Sequence, residues 1–451
     1  MSYSTYPFIP LLLAADSKEE INRQYEALNK DISSHRDIKK LTLELAKEDK
    51  SGCYRGVAIL NEKTKEMEML FEGSILSESG EMKKKPIVFM FAGVGNQYKN
   101  IAKGLYKQIP FFKDLFDECC CFLEPVLEVD LKKIVFDEDK DCKIDMAGED
   151  CTESRPDLRV LLSKSKTALE ENDLINKTKY LHPLLFVVEY CLAKTLMKWG
   201  IVPEAMIGHS VGEYTAAAVS GVLSQKDALM LVAKRASLIE ELQPGCMLTV
   251  LAGKEEIEWI LSSNDNLFLA TENSPISCTI SGSEKDIIWA EEELDKKDVI
   301  FSRLPTDRAF HSPLLEPIKN VFEKAFENIE LNSPEIPYLS NLTGDWITED
   351  QVFDVHSWFL HTCETVRFSE GIQKLLDIKD GIFIEIGPGQ TLTGFVYQHP
   401  FKDDESNVMV HSALRNVNDS TPDTVYLLHI LSKLWVNGVK VDWNSFLNRN
   451  R

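Results

Sequence analysis

The 451-residue chain has no window of about 18 uninterrupted apolar residues, the length a helix needs to cross a bilayer. Its apolar stretch from Phe8 to Ala15 lacks the basic start of a signal peptide. Both absences argue against a membrane and predict a cytoplasmic protein. Positive charge is scarce: 50 Lys and Arg face 72 Asp and Glu, a net charge of −22. The average surface would repel a phosphate backbone, so nucleic acid is not an expected partner. The ten cysteines include the run Cys119, Cys120 and Cys121 but no CxxC pair, and no spacing gathers four thiolates around a metal. They read as reduced thiols, against a zinc or disulfide framework. Internal repeats and low-complexity tracts are also lacking. What remains is an ordinary globular composition, 27% charged and 44% hydrophobic, with chain enough for roughly two to four structural units.

The first of these opens with an apolar run and then a helical pattern capped by Ser17, with Glu19 and Glu20 in its first turn. Turn-rich, charged sequence follows, and a boundary falls near residue 84. Lys83, Lys84 and Lys85 read as solvated linker. A strand is predicted over 87–93, running into Gly95 and a helix. The polar segment 137–180 reads as an insertion. Asp137, Asp139 and Asp141 imitate the start of a calcium loop, but Cys142 stands where that loop needs Gly and Gly148 where it needs Glu, so a solvated acidic loop is expected. A long helix is predicted over 183–200, stopped by Gly200 and Pro203. Residues 247–307 alternate in a β-α-β-β-α-β order that suits a small ferredoxin-like subdomain. The apolar strand GIFIEIGPG and a helix ending in VNGVKVDWNSF close the chain.

Chemistry concentrates at Gly208-His209-Ser210-Val211-Gly212, which follows a predicted strand and opens an Ala-rich helix. A Ser on such a turn projects its hydroxyl beyond the sheet edge, and the helix N-terminus favours developing negative charge. The hydroxyl needs a base. Of nine histidines, His209 at the elbow should point away from the hydroxyl and serve a structural hydrogen bond. His311, where the small subdomain returns to the large one, is the candidate general base.

These residues sit in a longer series: FAGVGNQY from Phe91, GHSVGEY around Ser210, VAKRASLIEEL around Arg235, ENSPISCTISG from Glu272, AFHSP around His311, SNLTG at 340–344 and EIGPGQTLTG at 385–394. In that order they resemble the malonyl-type acyltransferase domain of polyketide and fatty-acid synthases, from about residue 86 to 398. The resemblance implies an α/β fold: an α/β-hydrolase-like core with a parallel sheet at 85–246 and 309–400, and the ferredoxin-like subdomain inserted at 247–308. Residues 1–84 resemble the α/β linker domain that precedes such acyltransferases, and 401–451, with LWVNGVKVDW, the segment that follows them. Met1 and the lack of a recognisable ketosynthase or carrier sequence suit a discrete enzyme acting in trans, although an excised synthase domain would look nearly the same because both linker regions are present.

The implied chemistry is ping-pong transfer of a malonyl-type group from malonyl-coenzyme A to the phosphopantetheine thiol of an acyl carrier protein, with no bound cofactor and the coenzyme A thioester as substrate. Ser210 takes the nucleophile position and His311 that of the base. His311 is oriented by a backbone carbonyl at the position matching His361. The backbone N–H groups of Val94 and Val211 would form the oxyanion hole; Val94 departs from the usual Gln, a change of side chain only. Arg235 matches the clamp for the malonyl carboxylate. Phe310 in RAFH points to malonyl over methylmalonyl, whereas Arg308, in place of the usual His, leaves an aminomalonyl or hydroxymalonyl unit open.

Other readings are a proofreading hydrolase of acyl carrier proteins, an unrelated GxSxG esterase and a decayed docking protein. A hydrolase gains little from Arg235, an esterase needs an acidic residue between Ser and His and has no use for the inserted subdomain, and decay does not fit three filled positions. Because carrier proteins are usually acidic, a local basic docking patch is implied.

Overall fold

The computed structural model describes residues 8–31, 44–45, 53–61, 64, 66–75, 85–137, 174–401 and 408–447. Strands β1 (Phe8–Ala15), β2 (Tyr54–Asn61) and β3 (Met67–Ser74) form an antiparallel sheet in that order. The helix Lys18–Asp31 packs on it and starts where the sequence places it, the Ser17 hydroxyl accepting the Glu20 N–H at 3.2 Å. The strands β2 and β3 correct the reading of this stretch as merely turn-rich and charged. Glu68 and Glu72 are exposed while Val57, Leu60 and Met67 are buried, so the charge on β3 disguised the hairpin.

Strands β4 (Ile87–Phe91) and β5 (Ala205–Gly208) belong to a second sheet. A third, antiparallel sheet holds β6 (Cys246–Val250), β7 (Phe268–Ser274), β8 (Ser277–Gly282) and β9 (Phe301–Arg303) in the order β7-β8-β6-β9, with helices Lys254–Ser263 and Glu284–Asp295 between its strands. The chain then returns to the second sheet through β10 (Tyr338–Leu339), β11 (Ile382–Ile386) and β12 (Met409–Ser412). That sheet is parallel throughout, in the order β10-β5-β4-β11-β12. Every residue of β4, β5 and β11 is buried, as a parallel sheet covered on both faces requires. The chain is thus an α/β protein, its described residues forming one parallel and two antiparallel sheets.

The long helix runs over Thr178–Lys198, starting five residues before the predicted 183 and carrying Pro183 inside it. Proline forgoes the amide bond to the Lys179 carbonyl and crowds that carbonyl with its ring. Burial of Thr178, Leu181 and His182 sustains the extra turn against that loss. Past its cap Trp199 the chain turns at Gly200, which adopts φ 86°. Of the expected insertion, 138–173 lie outside the described residues, including Asp139, Asp141, Cys142 and Gly148; Asp137 accepts a 2.6 Å hydrogen bond from Asn100. Lys83 and Lys84 also lie outside, but Lys85 is only 9% exposed and not solvated as expected. Among the described residues no helix is long and apolar enough to cross a membrane.

The closing helix Asp423–Val436 lies on the first sheet. Arg55 of β2 donates to the Trp435 carbonyl at 2.9 Å and stacks 5.0 Å from its ring, and Phe71 of β3 meets His429 edge-on at 6.2 Å. At its other end Asp423 accepts the Gly104 N–H at 2.8 Å and pairs with Arg415 at 2.9 Å.

Glu385, near the carboxyl end of β11, is wholly buried. Its carboxylate accepts the N–H groups of Leu392 and Thr393 and the Thr393 hydroxyl, tying off the start of the helix Thr391–Tyr397. Burial outweighs these bonds and pushes its pKa from 4.5 up to about 7. The folded state therefore binds this proton more tightly than the unfolded chain. Its contribution is complete below pH 4.5 and fades as pH rises toward 7, by up to about 3 kcal/mol. Glu385→Gln is expected to flatten the fall in stability between pH 5 and 8, measured by chemical denaturation; an unchanged slope would assign that fall elsewhere.

Candidate active site

Ser210 leaves the carboxyl end of β5 on a turn that only glycine can flank. A Cβ at Gly208 would lie 2.1 Å from the Glu213 nitrogen, and one at Gly212 2.4 Å from the Phe91 carbonyl oxygen. Ser210 itself is left-handed, with φ 54°, a conformation costing about 1–3 kcal/mol that its surroundings must hold. Asn341 does so: its Oδ1 accepts the Ser210 N–H at 2.7 Å, its Nδ2 donates to the Gly208 carbonyl at 2.7 Å, and its own N–H donates to buried Glu213 at 2.7 Å. His209 turns the other way, its Nε2 2.9 Å from Asn273 Oδ1, the structural hydrogen bond expected of it. Asn273 also bonds Thr271 and Thr279, so this contact ties the third sheet to the serine turn.

The Ser210 Oγ lies 2.6 Å from His311 Nε2. On its other side His311 Nδ1 is 3.1 Å from the Glu364 carbonyl oxygen. A carbonyl only accepts, so Nδ1 carries the proton and Nε2 presents a lone pair to the hydroxyl. The orienting carbonyl is therefore that of Glu364 and not that of His361. Glu364 stands just past the helix Val355–Cys363 in extended conformation, which frees its carbonyl from the helix. His361 instead sets its ring perpendicular to that of His311, 6.2 Å away, with Nε2 3.4 Å from Glu213. Burial, and secondarily the positive charge of Arg235, holds His311 well below its usual 6.5, so it is a neutral acceptor at physiological pH.

Arg235 projects from the helix Gln225–Glu240 and is wholly buried. Its Nε donates to Thr362 Oγ1 at 3.1 Å and its Nη1 to His182 Nδ1 at 3.2 Å. Among the described residues its Nη2 has no hydrogen-bond partner and no carboxylate pairs with it. A buried cation without a counter-ion is costly to maintain, and the vacant donor marks where an anion would be held. Phe310, buried beside His311, lies 5.1 Å from the His182 ring.

Arg308 does not belong to the pocket. Its guanidinium donates to the carbonyls of Ile239 at 3.1 Å, Glu240 at 2.6 Å and Asp307 at 2.9 Å. It thus satisfies the open carbonyl end of the Arg235 helix and fastens it to the loop bearing Phe310 and His311. With its donors so occupied, it is a brace and not a recognition group for a polar extender.

Val94 follows β4 and Val211 follows Ser210, at the carboxyl ends of adjacent parallel strands, where α/β sheets bind ligands. Among the described residues neither N–H is taken up by a loop carbonyl, whereas that of Ser210 is already occupied by Asn341. Sequence reasoning missed Asn341, Glu213, Asn273, Glu364 and His182. Asn341 and Asn273 lie in recognised motifs, but their roles depend on partners across the fold.

An acyl transferase domain family model matches residues 88–441. A type I polyketide synthase of phenolphthiocerol synthesis from Mycobacterium marinum is 30% identical over 373 residues, covering 82% of this chain and 16% of that protein. The chain thus spans about a sixth of that relative's length. Among solved structures, the acyl transferase domain of ZmaA superposes with a TM-score of 0.79 at 29% identity, covering 99% of this chain and 98% of that one. The malonyl CoA-acyl carrier protein transacylase from Burkholderia pseudomallei superposes with a TM-score of 0.57 at 25% identity, covering 70% of this chain and 98% of that one.

Proposed function

The chain belongs to the acyl transferase domain family, and on that footing we propose that it moves a malonyl group from coenzyme A to the phosphopantetheine thiol of an acyl carrier protein in polyketide or fatty-acid assembly. Ser210 Oγ attacks the thioester carbonyl as its proton passes to His311 Nε2. The negative charge that develops on the carbonyl oxygen is held by the N–H groups of Val94 and Val211. Collapse expels the coenzyme A thiolate, which takes the proton from His311 and leaves a malonyl ester on Ser210. In the second half the carrier thiol gives its proton to His311 and attacks the ester. The Ser210 oxygen leaves and recovers that proton.

The observation that carries this reading is the unpaired Nη2 of buried Arg235, a cation with no counter-ion, on an enzyme whose serine and histidine are in hydrogen-bond contact. A carboxylate-bearing acyl group supplies the missing charge, and an acetyl group does not. Phe310 crowds the α-carbon against an added methyl, worth only about 1–3 kcal/mol, so methylmalonyl is discriminated incompletely. With equal concentrations of malonyl-, methylmalonyl- and acetyl-coenzyme A, intact-protein mass spectrometry is expected to find mainly the malonyl adduct, discharged on adding a carrier protein. A dominant acetyl or methylmalonyl adduct would overturn the substrate assignment, and release of free malonate in place of transfer would favour a hydrolase.

A further inference from the structure

The guanidinium of Arg235 is held by two neutral groups, the Thr362 hydroxyl and the His182 imidazole. What holds a buried cation decides what it can bind. A carboxylate at position 182 would neutralise Arg235 and compete with any acidic substrate. A hydrocarbon would leave Nη1 without an acceptor, costing the pair its desolvation with no return. An imidazole with a free Nδ1 accepts from Nη1 and leaves the positive charge intact.

Resting on the acyl-transfer reading above, we propose that His182 is a positioning residue that sets acyl selectivity, its Nδ1 fixing the Arg235 guanidinium so that Nη2 faces the acyl carboxylate while its ring backs Phe310. The residue is 2% exposed on the helix Thr178–Lys198. Its contact to Arg235 is 3.2 Å and its ring centroid stands 5.1 Å from that of Phe310. One side chain therefore touches both the group that reads the carboxylate and the wall that reads the α-carbon. Burial, and then the adjacent guanidinium, keeps it below its usual 6.5, consistent with a neutral acceptor. Nδ1 accepts from Arg235, so its proton resides on Nε2.

The test uses the full chain with malonyl- and acetyl-coenzyme A, comparing His182→Leu and His182→Gln with the unaltered protein by single-turnover acylation. His182→Leu is expected to lower malonyl acylation about tenfold, mainly through KM, while acetyl acylation stays within about twofold. His182→Gln offers a carbonyl acceptor and is expected to restore the malonyl rate to within about threefold. An unchanged malonyl-to-acetyl ratio in His182→Leu, or an equal fall of both rates, would overturn the proposal by reducing His182 to a packing residue. If the unaltered protein forms no malonyl adduct, the acyl-transfer reading fails first and this proposal falls with it.

Discussion

Ser210→Ala is expected to take up no acyl group from malonyl-coenzyme A and to lose on the order of 10⁶-fold in transfer rate. Alanine keeps the backbone N–H that Asn341 accepts, so the turn is retained and only the nucleophile is removed. His311→Ala leaves the hydroxyl without the acceptor that stands 2.6 Å away and is expected to cost nearly as much. Because the two act as one unit, the double variant should be no slower than the worse single one. Mass spectrometry of the intact protein after incubation with the thioester is the measurement. A stoichiometric adduct on Ser210→Ala would remove this serine from the chemistry altogether.

The second large effect concerns charge. Arg235→Met is expected to lower kcat/KM for malonyl-coenzyme A by about 10²- to 10³-fold, since the carboxylate would be desolvated without a partner. Acetyl acylation should hold or rise, so the preference between the two thioesters inverts. The same substitution is expected to raise the melting temperature of the unliganded protein. A wholly buried guanidinium with one unbonded nitrogen is replaced there by a side chain that needs no partner. Gain in stability with loss of selectivity would mark Arg235 as retained for binding. Loss of both activities in equal measure, with a lower melting temperature, would make it a structural residue.

Legibility in the sequence followed how local each signal is. The serine turn was readable because its glycines, its strand and its helix lie within a few residues of Ser210. The β-α-β-β-α-β series was readable from alternating apolar runs. His311 was singled out by its place where the small subdomain returns to the large one and Arg235 through motif resemblance, since nothing within their own segments distinguishes them from other buried histidines and arginines. Glu364 was missed, and His361 named in its place, because a main-chain carbonyl leaves no mark in the residue type. Arg308 was misjudged because its acceptors, Ile239 and Glu240, lie on another helix almost seventy positions earlier. His182 was passed over inside an apolar helix, next to a proline that suggested the helix began after it. The strand β3 was obscured by its exposed Glu68 and Glu72, which hid the hairpin it forms with β2.

The contact between Arg55 and the Trp435 carbonyl joins residues 380 positions apart. It bears on the portability of the catalytic unit. A cassette cut at about residue 85 and residue 400 would lose the helix Asp423–Val436 together with the sheet it packs on, and with them the Asp423 carboxylate that holds Gly104. Moving this catalytic unit into another protein therefore calls for both margins to travel together from the same donor.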